Sequence, residues 1–184
     1  MIPALILAAG SGRRMGGPKA FLTWEGETLL QRATRVAAAA GCDPVIAVVG
    51  DWDPGPLAGT VSVIPNLEAA EGMGSSIRAG IAALPPDAEG ALILAVDQPS
   101  VNADLLRSLQ ALAAKDPSRP AACAYGDSLG IPAILPRRLF PELLALRGDR
   151  GAKAILLREN AATLPFPQGE ADLDTPADLE RFRR

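Results

Sequence analysis

The chain contains no histidine among its 184 residues. Imidazole can therefore serve neither as a general base nor as a metal ligand in this protein. Any bound metal ion must be held by oxygen atoms, and this ligand type favours Mg²⁺.

Cysteine is almost as scarce, with Cys42 and Cys123 far apart and in apolar or strand-like surroundings. This pattern indicates two reduced, buried thiols rather than a disulfide framework. The first residues lack the positively charged region of a secretion signal, so we expect a cytoplasmic protein.

Long apolar runs and an excess of positive charge are also missing. No apolar stretch approaches the length of a transmembrane helix, and the net charge is −3. We therefore expect neither a membrane nor a nucleic-acid partner. A hydrophobic content of 48% is enough for one core, which predicts a single domain over residues 1–184.

Short apolar runs alternate with helical patterns along the chain. The predicted strands are the apolar run that begins at Ala4 and leads into a glycine-rich loop, then Val45 to Val49 and Val61 to Ile64 (both buried), Ala91 to Val96, Ala121 to Tyr125 and Ile131 to Leu135, the last two flanking a turn at 126–130. The predicted helices are Thr28 to Ala40, one capped by Ser75 or Ser76 and running to about Leu84, and one from Asn102 or Ala103 to Ala114. Three more are a short one from Pro136, one that Gly148 or Asp149 precedes and that runs to about Glu159, and one capped at Thr175-Pro176. This order predicts a doubly wound, mostly parallel Rossmann-like α/β sheet in a three-layer α/β/α arrangement, with ligands at the carboxyl ends of the strands.

A glycine-rich loop with three cations follows the first apolar run. It reads Gly10-Ser11-Gly12-Arg13-Arg14-Met15-Gly16-Gly17-Pro18-Lys19. Glycines allow backbone N–H groups to approach an anion closely, and the cations supply countercharge, so the loop is typical of a triphosphate site. The predicted nucleotide contacts are Leu7, Ala8, Ala9, Gly10, Ser11, Gly12, Arg14 and Lys19.

Two better-known phosphate loops do not fit this stretch. The dinucleotide fingerprint requires a third glycine where Met15 stands. Walker A requires Gly-Lys followed by Ser or Thr, whereas Pro18 precedes Lys19 and Ala20 follows it. The pattern Leu-Ala-Ala-Gly-x-x-x-Arg-Met-Gly-x-x-Lys from Leu7 to Lys19 instead resembles the MobA-like nucleotidyltransferases of molybdenum-cofactor maturation, and among them the molybdopterin cytidylyltransferase branch.

Two carboxylates are candidate metal ligands. Asp97 follows the strand Ala91 to Val96, and Asp174 precedes Thr175-Pro176. By local pattern alone, Asp97 could be a turn residue and the second segment an N-cap box, which leaves Asp174 without a role. The resemblance implies that Asp97 and Asp174 together hold Mg²⁺.

A third motif, Glu-Gly-Met-Gly-Ser-Ser, begins at Glu71. Read locally, it is a capped helix with a flexible entry. The resemblance implies that this segment lies against the nucleobase and ribose, with Asn66, Gly74, Ser75 and Ser76 as contacts.

The implied reaction is an in-line attack by a substrate phosphate on the α-phosphorus of a nucleoside triphosphate, with release of pyrophosphate. Because the attacking group is already an anion, no general base is needed. Lys19 would hold the α-phosphate or the incoming phosphate, and Arg14 the β- and γ-phosphates.

The resemblance also suggests the substrates. Ala9 in Leu-Ala-Ala-Gly argues for CTP, whereas a glycine there goes with GTP. The implied acceptor is a molybdopterin-type cofactor, with a molybdoenzyme or its chaperone as a possible partner, although Ile131 replaces the usual histidine of the branch. Arg150 and Lys153 are candidate contacts of the acceptor phosphate, or else solvated charges.

Two other classes of function stay open from the sequence. One is a nucleotidyltransferase for another phosphorylated acceptor, such as a sugar 1-phosphate or methylerythritol phosphate. The other is a non-catalytic nucleotide-binding or cofactor-delivery module. The combination of Lys19, Asp97 and Asp174 argues against the latter, because simple binding does not require both carboxylates.

Overall fold

The structure, a computed structural model, describes residues 1–12 and 16–170. Its main feature is a seven-stranded sheet. The strands of this sheet are β1 (Ala4–Leu7), β4 (Val45–Val49), β5 (Val61–Pro65), β6 (Gly90–Ala95), β7 (Ala121–Tyr125), β8 (Ser128–Pro136) and β9 (Ala162–Pro165). Their order in the sheet is β5-β4-β1-β6-β8-β7-β9, and neighbouring strands are parallel except where β8 pairs with β6 and β7. The predicted mostly parallel α/β sheet is confirmed.

Helices cover both faces of the sheet. They are α1 (Leu29–Ala39), α2 (Met73–Ala82), α3 (Ala103–Ala114), α4 (Phe140–Leu144) and α5 (Lys153–Arg158). The core on one face includes residues of α1 and α3, and the core on the other includes residues of α2, α4 and α5. Alternate residues of β1 point to opposite cores, with Ile6 on the first face and Leu5 on the second, as strand geometry requires. These layers confirm the predicted α/β/α arrangement.

Two helices begin close to the predicted positions, and each has a side-chain cap. The Thr28 hydroxyl accepts from the backbone N–H of Gln31, and the Gln31 side chain accepts from the N–H of Thr28, which completes a capping box for α1. The Asn102 side chain accepts from the N–H of Leu105 at the start of α3. Gly41, at a φ of +81°, follows α1 as expected for a helix C-terminus.

Several element predictions are wrong. The segment 61–64 is not a buried strand: β5 lies at the edge of the sheet, and Ser62 and Val63 are exposed because no strand lies beyond them. The turn predicted at 126–130 is shorter, because β8 already begins at Ser128. Helix α2 begins at Met73, after Gly72, so Ser75 lies inside the helix and does not cap it.

Two further pieces of strand structure were not predicted. The segments β2 (Thr23–Trp24) and β3 (Glu27–Thr28) form a small antiparallel hairpin, and β9 pairs with β7 at the far edge of the sheet. The helix predicted after Thr175-Pro176 lies outside the described residues. Within the described ranges, no helix is long and apolar enough to cross a membrane.

The two cysteines are free and buried, as predicted. Burial disfavours the charged thiolate and raises the pKa of Cys42 to about 11 and that of Cys123 to about 12. Both thiols therefore stay protonated at neutral pH, and both act as small apolar groups of the core.

Candidate functional site

A cavity of about 770 Å³ lies at the carboxyl ends of β1 and β6. The chain runs from β1 to β4 and β5 on one side and then returns to β6 on the other side of β1. The direction of winding therefore reverses between β1 and β6, and such a switch point is where open α/β sheets bind their ligands. The cavity is lined by the loop after β1, the start of α2, the segment after β6, the β7–β8 hairpin and the loop before α5.

Lys19 and Asp97 meet in this cavity although 78 positions separate them in the chain. Lys19 ends the glycine-rich loop after β1, and Asp97 follows β6. The Lys19 Nζ donates to Asp97 Oδ2 at 2.8 Å, and the two side chains are only 18% and 25% exposed. The fold thus brings the predicted phosphate-binding cation and the predicted metal ligand into direct contact.

The end of β1 and the first residues of the glycine-rich loop line the cavity, from Leu7 to Gly12. Gly12 has a φ of +56°, and a Cβ at this position would overlap the carbonyl oxygen of Gly17. The N–H of Gly17 donates to the carbonyl of Gly12 at 3.3 Å, so the two glycines close the loop. Only glycine fits there without distortion. Arg14, with Arg13 and Met15, lies outside the described residues.

Asn66 connects the end of β5 to the first turn of α2. Its Nδ2 donates to Ser75 Oγ at 2.8 Å and to Ser76 Oγ at 3.0 Å, and its Oδ1 accepts from the N–H of Glu68. The Ser75 hydroxyl in turn donates to the Gly72 carbonyl. Asn66 and Ser75 are buried, and Ser76 lines the cavity. Asn66 and Ser75 therefore hold the wall in place from behind.

Gly74 packs against the loop before α5. Its N–H donates to the carbonyl of Gly148 at 2.9 Å, and a Cβ on Gly74 would come within 3.0 Å of that oxygen. Gly74 is the second glycine of the Glu-Gly-Met-Gly-Ser-Ser motif, and its lack of a side chain lets the two cavity walls approach each other closely. A nucleotide contact for Gly74, as for Asn66, Ser75 and Ser76, stays a prediction.

Gln98 is a cavity residue to which the sequence did not assign a role. It is 8% exposed, and its Nε2 donates to the carbonyl of Ile131 at 3.3 Å. Because that carbonyl can only accept, the amide orientation is determined. Its Oε1 is buried and has no hydrogen-bond partner among the described residues.

The β7–β8 hairpin forms the end of the cavity beside Gln98. Tyr125, Leu129, Gly130 and Ile131 line it. A Cβ on Gly130 would overlap the Tyr125 hydroxyl, so glycine allows the phenol to lie across the strand. Ile131, at the position where the resembling branch has histidine, is thus a cavity residue.

The loop before α5 supplies the opposite lining, with Asp149, Gly151 and Lys153. Lys153 opens α5 and is exposed, and Arg150 is exposed in the loop. Within residues 1–12 and 16–170, no group of three or more potential metal-binding side chains comes together. Asp97 is the predicted metal ligand that the structure describes, and Asp174, with Asp172, lies outside the described residues.

A doubly wound sheet with a glycine-rich loop after its first strand, and with a lysine and a carboxylate meeting at the switch point, is typical of an α/β protein that binds a nucleotide. The family model of the MobA-like NTP transferase domain matches residues 4–163, and the chain belongs to this family.

Relatives of the chain carry several names. It is 30% identical to the purine catabolism protein PucB of Bacillus subtilis, over 98% of this chain and 95% of that protein. It is 33% identical to the molybdenum cofactor guanylyltransferase of Rhodobacter capsulatus, over 98% and 94%.

Among solved structures, the chain is similar to Rv0371c from Mycobacterium tuberculosis, with a TM-score of 0.82 and 30% identity over 99% of this chain and 97% of that one. A second structure of Rv0371c, in complex with manganese, has a TM-score of 0.78 and 29% identity over 98% and 96%.

Proposed function

We propose that this nucleotidyltransferase transfers CMP from CTP to the phosphate of a molybdopterin-type cofactor and releases pyrophosphate. The observation that carries the proposal is the ion pair between Lys19 and Asp97 at the switch point of the sheet. The names of several relatives as molybdenum cofactor guanylyltransferases support the class of acceptor.

The ion pair explains how the site stays ready for a highly charged substrate. Each side chain compensates the other's charge in a partly buried position. A triphosphate entering beside the glycine-rich loop would take over Lys19 Nζ, which then neutralises charge on the α-phosphate. Such a preorganised cation stabilises the charge that builds up during in-line transfer.

Asp97 then becomes available to a divalent cation. Its carboxylate is the hard oxygen ligand that Mg²⁺ prefers, and Mg²⁺ is commonly held by one or two carboxylates together with substrate phosphates. The manganese complex of Rv0371c supports a divalent cation in this family. When bound, the cation supplies electrostatic shielding between the attacking phosphate and the α-phosphate. We propose Asp174 as a second ligand and Arg14 as a contact of the β- and γ-phosphates.

The β7–β8 end of the cavity suits an acceptor that carries hydrogen-bond donors. The buried Gln98 Oε1 lacks a partner among the described residues, and an N–H group of a bound substrate would satisfy it. A pterin ring carries such N–H groups. Its flat shape also suits a pocket between Tyr125, Leu129 and Ile131.

GTP is the second candidate nucleotide. The relatives named guanylyltransferases are up to 33% identical to this chain and match it over nearly its whole length. Ala9 supports CTP, because its methyl group narrows the space beside the base compared with a glycine.

The test is pyrophosphate release with each of the four nucleoside triphosphates in the presence of molybdopterin. Parallel reactions use a sugar 1-phosphate and methylerythritol phosphate as acceptors. The proposal requires turnover with molybdopterin and CTP. Turnover with GTP alone would replace the cytidylyl assignment, and turnover only with another acceptor would overturn the molybdopterin assignment.

A further inference from the structure

We propose that Arg78 is a positioning residue that holds one wall of the cavity, residues 146–153, against the other, residues 66–76, and thereby sets acceptor binding. The inference rests on the proposed function for the identity of the acceptor. Its structural part can be tested independently.

Arg78 reaches from α2 to both walls. Its Nη1 donates to the carbonyl of Leu146 at 2.6 Å and to Glu71 Oε1 at 2.8 Å, while its Nη2 donates to Glu71 Oε2 and to Glu68 Oε2. The side chain is only 16% exposed. These contacts connect Arg78 to both walls.

Glu71 completes the connection on the other side. Its Oε1 also accepts from the backbone N–H of Gly148 at 3.1 Å. The hydrogen bonds from Arg78 and from this N–H lower the pKa of Glu71 to about 2. The carboxylate is therefore charged at neutral pH and bridges Arg78 to the backbone of the opposite wall.

The two walls also interlock through glycines. Gly72 has a φ of +123°, and a Cβ there would overlap the carboxylate of Asp149 and the backbone of Gly148. A Cβ on Gly151 would press on the Met73 sulfur at 2.9 Å. The walls thus approach so closely that their separation is determined by a few contacts.

The wall at 146–153 depends on those contacts because residues 146–152 belong to no helix or strand. This wall nevertheless contributes Asp149, Gly151 and Lys153 to the cavity. Nucleotide contacts are predicted on the wall at 66–76 and on the glycine-rich loop. A shift of residues 146–153 should therefore weaken acceptor binding more than nucleotide binding.

The alternative is an ordinary surface ion pair, which contributes little and tolerates any cation. The guanidinium of Arg78 donates hydrogen bonds to two carboxylates and a backbone carbonyl at once, and the single ammonium group of a lysine cannot reproduce that geometry. Arg78→Lys therefore retains the charge and removes the bridging geometry.

The decisive experiment compares Arg78→Lys with Arg107→Lys. Arg107 likewise donates to a backbone carbonyl, that of Ala39, and to a carboxylate, that of Asp104, but it lies on α3 at the other face of the sheet. It is thus a matched control for loss of an arginine fork outside the cavity.

Steady-state pyrophosphate release is measured with molybdopterin varied at saturating CTP, and with CTP varied at saturating molybdopterin. For Arg78→Lys we expect the KM for molybdopterin to rise roughly 10-fold to 100-fold, the range of losing charge-assisted hydrogen bonds. The KM for CTP should stay within about 2-fold, and Arg107→Lys should change neither value beyond the usual range for surface sites. An unchanged KM for molybdopterin, or equal increases in both KM values, would overturn the proposal.

Amide hydrogen exchange tests the wall without turnover. In Arg78→Lys, exchange in peptides that cover 146–151 should be faster than in the wild type, with helix α3 unchanged. Unchanged exchange at 146–151 would overturn the positioning role even if the kinetics changed. If the wild type releases no pyrophosphate with molybdopterin, the proposed function fails, and the exchange measurement still decides the role of Arg78.

Discussion

Replacing Asp97 with asparagine should nearly abolish transfer and leave the fold intact. The substitution keeps the side-chain shape and an oxygen that can still accept from Lys19 Nζ, so the 2.8 Å contact loses charge but not its geometry. Because both side chains are partly exposed, we expect a loss of only about 1 kcal/mol in the free energy of unfolding. This corresponds to a decrease of about 2–4 °C in Tm for a chain of this size.

The catalytic loss should be far larger than the stability loss. The introduced asparagine offers a divalent cation a neutral oxygen in place of a carboxylate, so the charge that would hold the metal beside the α-phosphate is removed. We expect kcat/KM to fall roughly 10²-fold to 10⁴-fold, the scale on which single electrostatic contacts act in transfer sites. Pyrophosphate release and thermal unfolding are measured on the same preparation.

Two results would refute this reasoning. Near-wild-type pyrophosphate release from Asp97→Asn would show that the carboxylate is not a metal ligand. A Tm lowered by more than about 10 °C would contradict the small stability loss expected for this ion pair, and Asp97→Glu would then test the metal site. The glutamate retains the charge and lengthens the side chain, so it should unfold near the wild-type temperature and recover part of the activity at high Mg²⁺ concentration.

Four further predictions follow from the site. Lys19→Ala should lower kcat by roughly 10²-fold to 10⁴-fold and weaken CTP binding less; equal losses would assign Lys19 to ground-state binding. Ala9→Gly should raise the ratio of kcat/KM for GTP to that for CTP by roughly 10-fold, the worth of about one methyl group in a pocket, and an unchanged ratio would remove Ala9 from base selection. Gly12→Ala should weaken CTP binding measured by titration calorimetry, because its Cβ would overlap the Gly17 carbonyl; wild-type affinity would contradict the loop geometry. The difference in Tm between wild type and Glu71→Gln should persist above about pH 4.5 and shrink as pH falls toward 2, because the fold lowers the pKa of Glu71 from 4.5 to about 2. A Tm difference that disappears near pH 6 would contradict the ion pair between Glu71 and Arg78.

Much of the fold was predictable because its signals are local. The capping box at Thr28, the asparagine cap at Asn102 and the apolar runs of β1 and β4 each depend on neighbours in the sequence. The order of strands is not local. The exposed edge position of β5 depends on which strand lies beside it, and the residues Val61, Val63 and Ile64 alone do not distinguish it from a buried strand.

Short elements that depend on pairing also escaped prediction. The four residues of β9 are too few to carry a clear strand pattern, and they become a strand by pairing with β7. The hairpin of β2 and β3 has only two residues on each side. Such segments gain too little from local preference to be recognised before their partners are known.

In the site, too, some residues are recognisable from local motifs, whereas their contacts depend on the folded geometry. The glycine-rich loop, Lys19 and Asp97 are recognisable as separate motifs, and the fold brings these three together. Arg78 lies two positions after the third motif, but its contact at Leu146, and that of Glu71 at Gly148, come from a segment about seventy positions away. No local pattern indicates contacts of this kind, because charged helix residues usually face solvent.

The most direct test of nucleotidyl transfer is to follow the α-phosphorus itself. CTP labelled at the α-phosphate is incubated with the protein, Mg²⁺ and molybdopterin, and the products are separated. We expect the label to move into a CMP–molybdopterin conjugate in step with pyrophosphate release, and we expect Asp97→Asn to prevent both. Label that stays in CTP, or that appears only as free CMP, would contradict transfer to this acceptor.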